Sequence, residues 1–208
     1  MARRATFKEA VLGVSIMFYI IAGIPSLLFF AIGFTVTLKS NSTSEHIALV
    51  WLTWSALVIP IGWCITRYIN KRRRLASILS TIKSDESYDP TPENEMREIH
   101  SSAYFGIDTK RGTMLYVRLV NNREVDILGF NISNWRQCEL RANNQLRIYT
   151  NSTEMPFIDI QNSKAWYLYE KICVMRNQQY NYPYNFPGYV KHNADRLANN
   201  MGFKMLVC

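Results

Sequence analysis

The sequence predicts a membrane α-helical hairpin followed by an α+β cytoplasmic domain. Three observations carry this: two long stretches without a charge near the N-terminus, short alternating segments separated by turn residues, and one amphipathic segment after them. The chain has 208 residues and a formal net charge of +8, with 24 Lys and Arg against 16 Asp and Glu. Its apolar residues are concentrated in the first third, so the soluble part is at most one modest domain.

The first stretch, residues 10–38, reads AVLGVSIMFYIIAGIPSLLFFAIGFTVTL. An α-helix needs about 20 apolar residues to cross a bilayer, and this run exceeds that. Gly23, Pro25 and Gly33 predict a kink, because proline lacks an N–H and leaves a carbonyl one turn earlier without its partner. The second stretch, residues 47–66, is also free of charge up to Ile65 and holds Trp51, Trp54 and Trp63 near its ends, where indoles favour the membrane interface. Pro60 marks a second irregularity. A cleaved signal peptide has a 7–15-residue apolar core, so the first run is too long for one.

Basic residues set the expected orientation. Arg3, Arg4 and Lys8 precede the first span, and Arg67, Lys71, Arg72, Arg73 and Arg74 follow the second. The loop between them, residues 39–46, offers only Lys39. The positive-inside rule then puts residues 1–9 and the C-terminal part in the cytoplasm, at a bacterial inner membrane, and the loop outside. Arg67 and Lys71–Arg74 form the expected membrane-surface site.

Residues 67–84 form a basic connector in which Leu75, Ile78, Leu79 and Ile82 share one helical face. Two readings stay open: the segment lies on anionic lipid, or the second helix continues and this face packs on the soluble domain. Residues 85–98, DESYDPTPENEMRE, are acidic and proline-containing and read as an exposed linker.

The domain proper spans residues 99–179. Alternation predicts strands at 103–108, 113–120, 124–130, 132–140, 145–150 and 156–160, with turns at Lys110-Arg111-Gly112, Asn121-Asn122-Arg123 and Ala142-Asn143-Asn144. Leu115, Val117 and Leu119 should face inward against Tyr116 and Arg118. Val125 and Ile127 should face inward against Glu124 and Asp126. Ser163 is the expected N-cap of a helix over 164–179. The expectation is thus an antiparallel meander of about six strands with a C-terminal helix. That order also occurs in pleckstrin-homology-like barrels, and an orthogonal sandwich or open sheet fits equally well. Residues 180–208 form an aromatic, proline-rich tail whose rings either pack across the domain or present an interface, with a short helix at 192–201.

No chemistry-bearing motif emerges. His46, His100 and His192 pair with no nucleophile at motif spacing. Asp108 and Asp126 fall on neighbouring strands without a pocket signature. Phosphate-loop patterns are absent. Cys64, Cys138, Cys173 and Cys208 lack metal-site spacing and read as reduced structural cysteines. No enzyme activity, cofactor, metal or small-molecule substrate is expected. The basic run after the second span is explained by topology, without nucleic acid. Lys110, Arg111, Arg118, Arg123, Arg136, Arg141 and Arg147 are spread over turns and outward positions.

The short basic start MARRATFKEA, the helical hairpin, the INKRRR stop and the block YFGIDTKRGTMLYVRLVNNREVDILGFNISNW together resemble the surface-exclusion (entry-exclusion) proteins of I-complex conjugative plasmids. The resemblance extends over nearly the whole chain. It implies an inner-membrane protein of a plasmid-bearing recipient that blocks redundant conjugative DNA transfer by recognising a protein component of the donor's transfer apparatus. It implies no catalytic residues. Exposed turn residues Lys110, Arg111, Asn121, Asn122 and Arg123 are the expected partner-binding set. The alternative is a membrane-tethered module that binds anionic lipid or a protein partner.

Overall fold

The computed structural model describes residues 11, 14–15, 17–38, 44–84, 86–98, 102–120, 124–142, 144–153, 155–182 and 185–207, the side chains of 206 and 207 excepted. The chain divides into two compact units, residues 1–69 and 70–208.

In the first unit a π-helical turn, Tyr19–Gly23, runs into helix α1, Ile24–Leu38. The Ile24 N–H bonds back to the Tyr19 carbonyl. The wide turn lies directly ahead of Pro25, where the regular ladder loses a donor, and such turns are one way a helix accommodates the loss. Helix α2, Ser44–Ile82, contributes its residues up to Ile69 to this unit. Both helices contain stretches long and apolar enough to cross a membrane. Their large apolar side chains point outward. Every exposed large hydrophobic residue described, other than Trp166, Val174 and Met201, lies at or before Ile69. A water-exposed surface of that kind would be unusual for a soluble chain.

Helix α2 continues through Pro60, and the Ala56 carbonyl four residues earlier accepts from the Tyr19 hydroxyl at 2.9 Å. Thr35 and Trp54 also join the two helices, the indole N–H donating to the threonine hydroxyl at 3.3 Å.

In the second unit the end of α2 carries Leu75, Ile78, Leu79 and Ile82, all buried with Tyr88, Tyr104, Val117, Ile127, Phe186 and Val190. Of the two readings of the connector, packing on the domain is the one realised.

Eight strands follow: β1 Glu95–Glu98, β2 Ala103–Asp108, β3 Thr113–Leu119, β4 Glu124–Asn131, β5 Trp135–Arg141, β6 Gln145–Thr150, β7 Phe157–Gln161 and β8 Lys204–Val207. They form a five-stranded sheet in the order β1-β2-β3-β4-β8 and a three-stranded sheet β5-β6-β7. Helix α3, Ala165–Arg176, packs its Ala165, Leu168, Ile172 and Met175 with the three-stranded sheet, while α4, Phe186–Met201, packs with the larger one. The larger sheet is therefore covered on both faces, by the 70–82 helix and α4 on one side and by the small sheet and α3 on the other.

That sandwich corrects several expectations. The meander is interrupted between β4 and β5, and the described residues form eight strands rather than about six. β8 pairs in parallel with β4, so the large sheet is mixed. Because both faces are covered, Tyr116 and Asp126 are buried rather than outward. The segment read as an exposed acidic linker holds the fully buried Tyr88, the buried Asn94 and strand β1, whose Met96 enters the core. Ser163 does not cap α3. Its cap position is Lys164, and the Asn162 side chain instead accepts from the Lys164 N–H at 2.9 Å. In the tail, α4 starts at Phe186, where the Asn185 side chain accepts from the Gly188 N–H and Pro187 suits the first turn. Asp108 sits opposite Thr113, and Asp126 opposite Arg118. Five positions along one strand is about 17 Å, so the two carboxylates are far apart.

Candidate functional site

The β2–β3 hairpin turn is organised by one buried carboxylate. Asp108 is 1% exposed. Its Oδ1 accepts from the Lys110 N–H at 3.0 Å and the Arg111 N–H at 3.1 Å, while its Oδ2 accepts from the Asp89 N–H at 3.0 Å and Arg111 Nη1 at 3.0 Å. An aspartate that bonds the backbone two and three residues ahead fixes a turn, and here the same group also ties that turn to the 86–89 segment. Arg111 adds a second tie, donating from Nε to the Glu86 carbonyl at 3.1 Å.

The turn closes at Gly112 with φ +66°, a conformation that a Cβ disfavours. Space forbids a side chain as well. A Cβ there would stand 2.6 Å from the Tyr180 ring and 2.7 Å from the Tyr182 hydroxyl. The two tyrosines form a strap over the turn. Tyr180 Oη donates to the Thr109 carbonyl at 2.8 Å, and Tyr182 Oη donates to the Gly112 carbonyl at 3.0 Å while accepting from the Ile132 N–H at 3.2 Å. Burial raises both phenols above their ordinary pKa, the neighbouring Tyr182 and Asp108 charges adding to the shift at Tyr180.

Between strap, turn and the Glu86-Ser87 corner lies a cavity of about 330 Å³, with Lys110, Arg111 and Thr113 on one side and Gln179 to Tyr182 on the other. Lys110 is exposed and Arg111 half-buried. Of the expected partner-binding residues, Lys110 and Arg111 are thus brought together at one concavity, and Asn121, Asn122 and Arg123 lie outside the described residues. Ser87 and Thr113 were not singled out by the sequence. Both are small polar residues whose neighbourhood arises only when the 86–89 segment folds against the hairpin.

Other expected cations are engaged elsewhere. Arg147 makes a two-pronged pair with Asp159 at 2.6 and 2.7 Å and lies over the Phe157 ring. Arg141 pairs with Glu139 at 2.5 Å, and Tyr149 Oη donates to the same carboxylate at 2.9 Å. These bonds, the tyrosine's first, hold the Glu139 carboxyl below its ordinary pKa. Arg136 donates to Asn151 at 2.8 Å. Arg67 lies over the Trp63 ring, Arg74 lies over Phe203, and Arg72 and Arg73 are exposed. Cys64, Cys138 and Cys173 are free thiols. Burial and then the adjacent Cys173 push the Cys138 thiol up to about 12. Among the described residues no group of His, Cys, Asp or Glu is placed to hold a metal ion.

Two span-length apolar helices joined to an α+β domain with a polar concavity at a hairpin turn define a class: a helical-hairpin protein with a folded α+β domain. The particular family follows from comparison with known proteins. Residues 1–205 match the family described as exclusion-determining protein, and the chain belongs to that family. No curated protein and no solved structure matched it.

Proposed function

We propose that this protein is the recipient-side factor that excludes redundant conjugative DNA transfer, and that it works by binding a protein component of the donor's transfer apparatus. The family match carries the reading, because it spans both the helical hairpin and the soluble domain. The two apolar helices anchor the chain in the bacterial inner membrane. Arg3, Arg4 and Lys8 on one flank and Arg67 and Lys71–Arg74 on the other hold both termini in the cytoplasm, with the latter group at the lipid surface. The role is recognition rather than catalysis. Lys110 and Arg111, together with Asn121, Asn122 and Arg123 of the next hairpin turn, form the recognition surface.

The test is mating into plasmid-free recipients that express this chain alone. Transfer from a donor of the same plasmid type should fall, while transfer from an unrelated conjugative system should not. Equal transfer into expressing and non-expressing recipients sinks the proposal. Reporter fusions after residue 207 and within residues 39–46 check the orientation separately.

A further inference from the structure

We propose that the cavity between the 108–113 turn, Ser87 and the Tyr180–Tyr182 strap is a receptor for a carboxylate, supplied by an acidic side chain of the partner protein. This rests on the recognition role above and names the chemistry of that recognition.

Two buried hydroxyls point to a ligand. Ser87 is 3% exposed and Thr113 is 2% exposed, both line the cavity, and neither hydroxyl oxygen has a hydrogen-bond partner among the described residues. Buried polar side-chain atoms nearly always find a partner. Only four such atoms lack one in the described part of the chain, and two of them share this cavity. A polar group that parts turn and strap would meet unpaired hydroxyls on this wall. The remaining wall is rich in donors: the Lys110 ammonium, which makes no ion pair among the described residues, and the amides of Gln179 and Asn181. An acceptor-only group is the complement of such a wall, and an ionised carboxylate accepts through both oxygens.

Charge selects among anions. Arg111 is paired with Asp108 at 3.0 Å, which leaves Lys110 as the rim cation, with the Glu86 carboxylate on the same rim. Asp108 stands behind the wall with its oxygens committed to four N–H donors. A single lysine suits a monoanion and disfavours a doubly charged phosphate. Size agrees, since about 330 Å³ lies at the low end for ligand pockets, roughly 300–1,000 Å³, and admits a side chain more readily than a nucleotide.

Two measurements test this. In recipients, Lys110→Glu and the pair Ser87→Ala with Thr113→Val should each weaken exclusion by about tenfold or more. Lys191→Glu, on the exposed side of α4, should not, all at matched membrane abundance. Donors selected for transfer past the unaltered protein should have lost or reversed an acidic residue, and Lys110→Glu recipients should exclude a donor in which that residue is lysine. Full exclusion by Lys110→Glu, or escape donors with no acidic change, overturns the proposal. Separately, purified full-length protein in detergent, titrated with sodium acetate, should show saturable shifts of the Lys110 and Thr113 amide resonances. The same concentrations of sodium chloride should not produce them. Identical responses to the two salts overturn the carboxylate site even if exclusion is real. A wild-type chain that fails to exclude, yet binds acetate, defeats the functional reading and leaves the site standing.

Discussion

The Tyr19 hydroxyl donates to the Ala56 carbonyl at 2.9 Å, from one apolar helix to the other. That carbonyl is the one that Pro60, four residues on, leaves without a helical N–H. The Leu57 carbonyl shares the donor at 3.3 Å. In lipid no water is available to satisfy such an oxygen, so the partner must come from protein. Proline and tyrosine are thus a matched pair, and the pairing fixes the register of the two helices against each other.

Tyr19→Phe should therefore weaken the hairpin, by roughly 0.6 kcal/mol and at most about 1.7 kcal/mol, the range found for interhelical hydrogen bonds in bilayers. In a Pro60→Ala background the Ala56 carbonyl regains a helical donor, and Tyr19→Phe should become nearly neutral. A double-mutant cycle, read by unfolding in mixed micelles, measures the coupling. Strictly additive effects would show that the two residues act independently.

Gly112→Ala should destabilise the soluble domain by about 1–3 kcal/mol, because a non-glycine residue at φ +66° carries strain of that order. The added methyl must also displace Tyr180 or Tyr182, so the loss should lie toward the upper end. Tyr182→Phe retains the ring and removes only the bonds to Gly112 and Ile132. Its smaller loss in a thermal melt would separate backbone strain from the strap. Equal melting temperatures for wild type and Gly112→Ala would contradict the described turn.

The apolar helices were legible in the sequence because an uncharged run of span length seldom occurs in a water-soluble fold. The hairpins β2–β3 and β5–β6 were legible from their turn residues, Gly112 and Asn144 both taking positive φ as such turns require. Strand β1 was hidden, since its only core residue, Met96, stands among acids that tertiary packing alone makes tolerable. β8 was hidden because its partner, β4, lies some eighty residues upstream and no local pattern announces a parallel neighbour. The dual burial of Tyr116 and Asp126 follows from a second layer that one strand cannot reveal. At the candidate site, the cations of the turn were visible, whereas Ser87 and Thr113 came onto one cavity only through the ties of Asp108 and Arg111 to the 86–89 segment.

The end of α2 is part of the domain core rather than a spacer, and single substitutions should show it. Ile78 is fully buried. Ile78→Ala should cost about 2–5 kcal/mol, as large-to-small changes in a packed core do. Ala76→Ser, at an exposed position of the same helix, should stay within about 0.5 kcal/mol. Hydrogen exchange read on residues 70–82 should then show protection comparable to β3 in wild type and its loss in Ile78→Ala. Free exchange of this segment in the wild-type protein would mean that it is not part of the core.

Alkali should unfold the domain, and acid should not do so by the same route. Burial, its largest cause, pushes Tyr116 up to about 12, raises Tyr104 further and raises Tyr88, whose hydroxyl lies 3.1 Å from that of Tyr104. Gly106 makes room for this pair, since a Cβ there would collide with both hydroxyls. A phenol whose folded pKa is raised binds its proton more tightly in the folded state. Its contribution is therefore fully present below the unfolded value, about 10, and is lost as pH rises from there through the folded value. For Tyr116 alone the loss is on the order of 2–3 kcal/mol. Stability should be flat across neutral pH with respect to these groups and fall steeply above about pH 10. Tyrosinate absorbance from the three buried phenols should then appear together with the loss of near-ultraviolet circular dichroism, in one cooperative step. Tyr116→Phe should shift that step to higher pH. Smooth ionisation of all tyrosines near pH 10 with the tertiary signal intact would contradict the burial of this cluster.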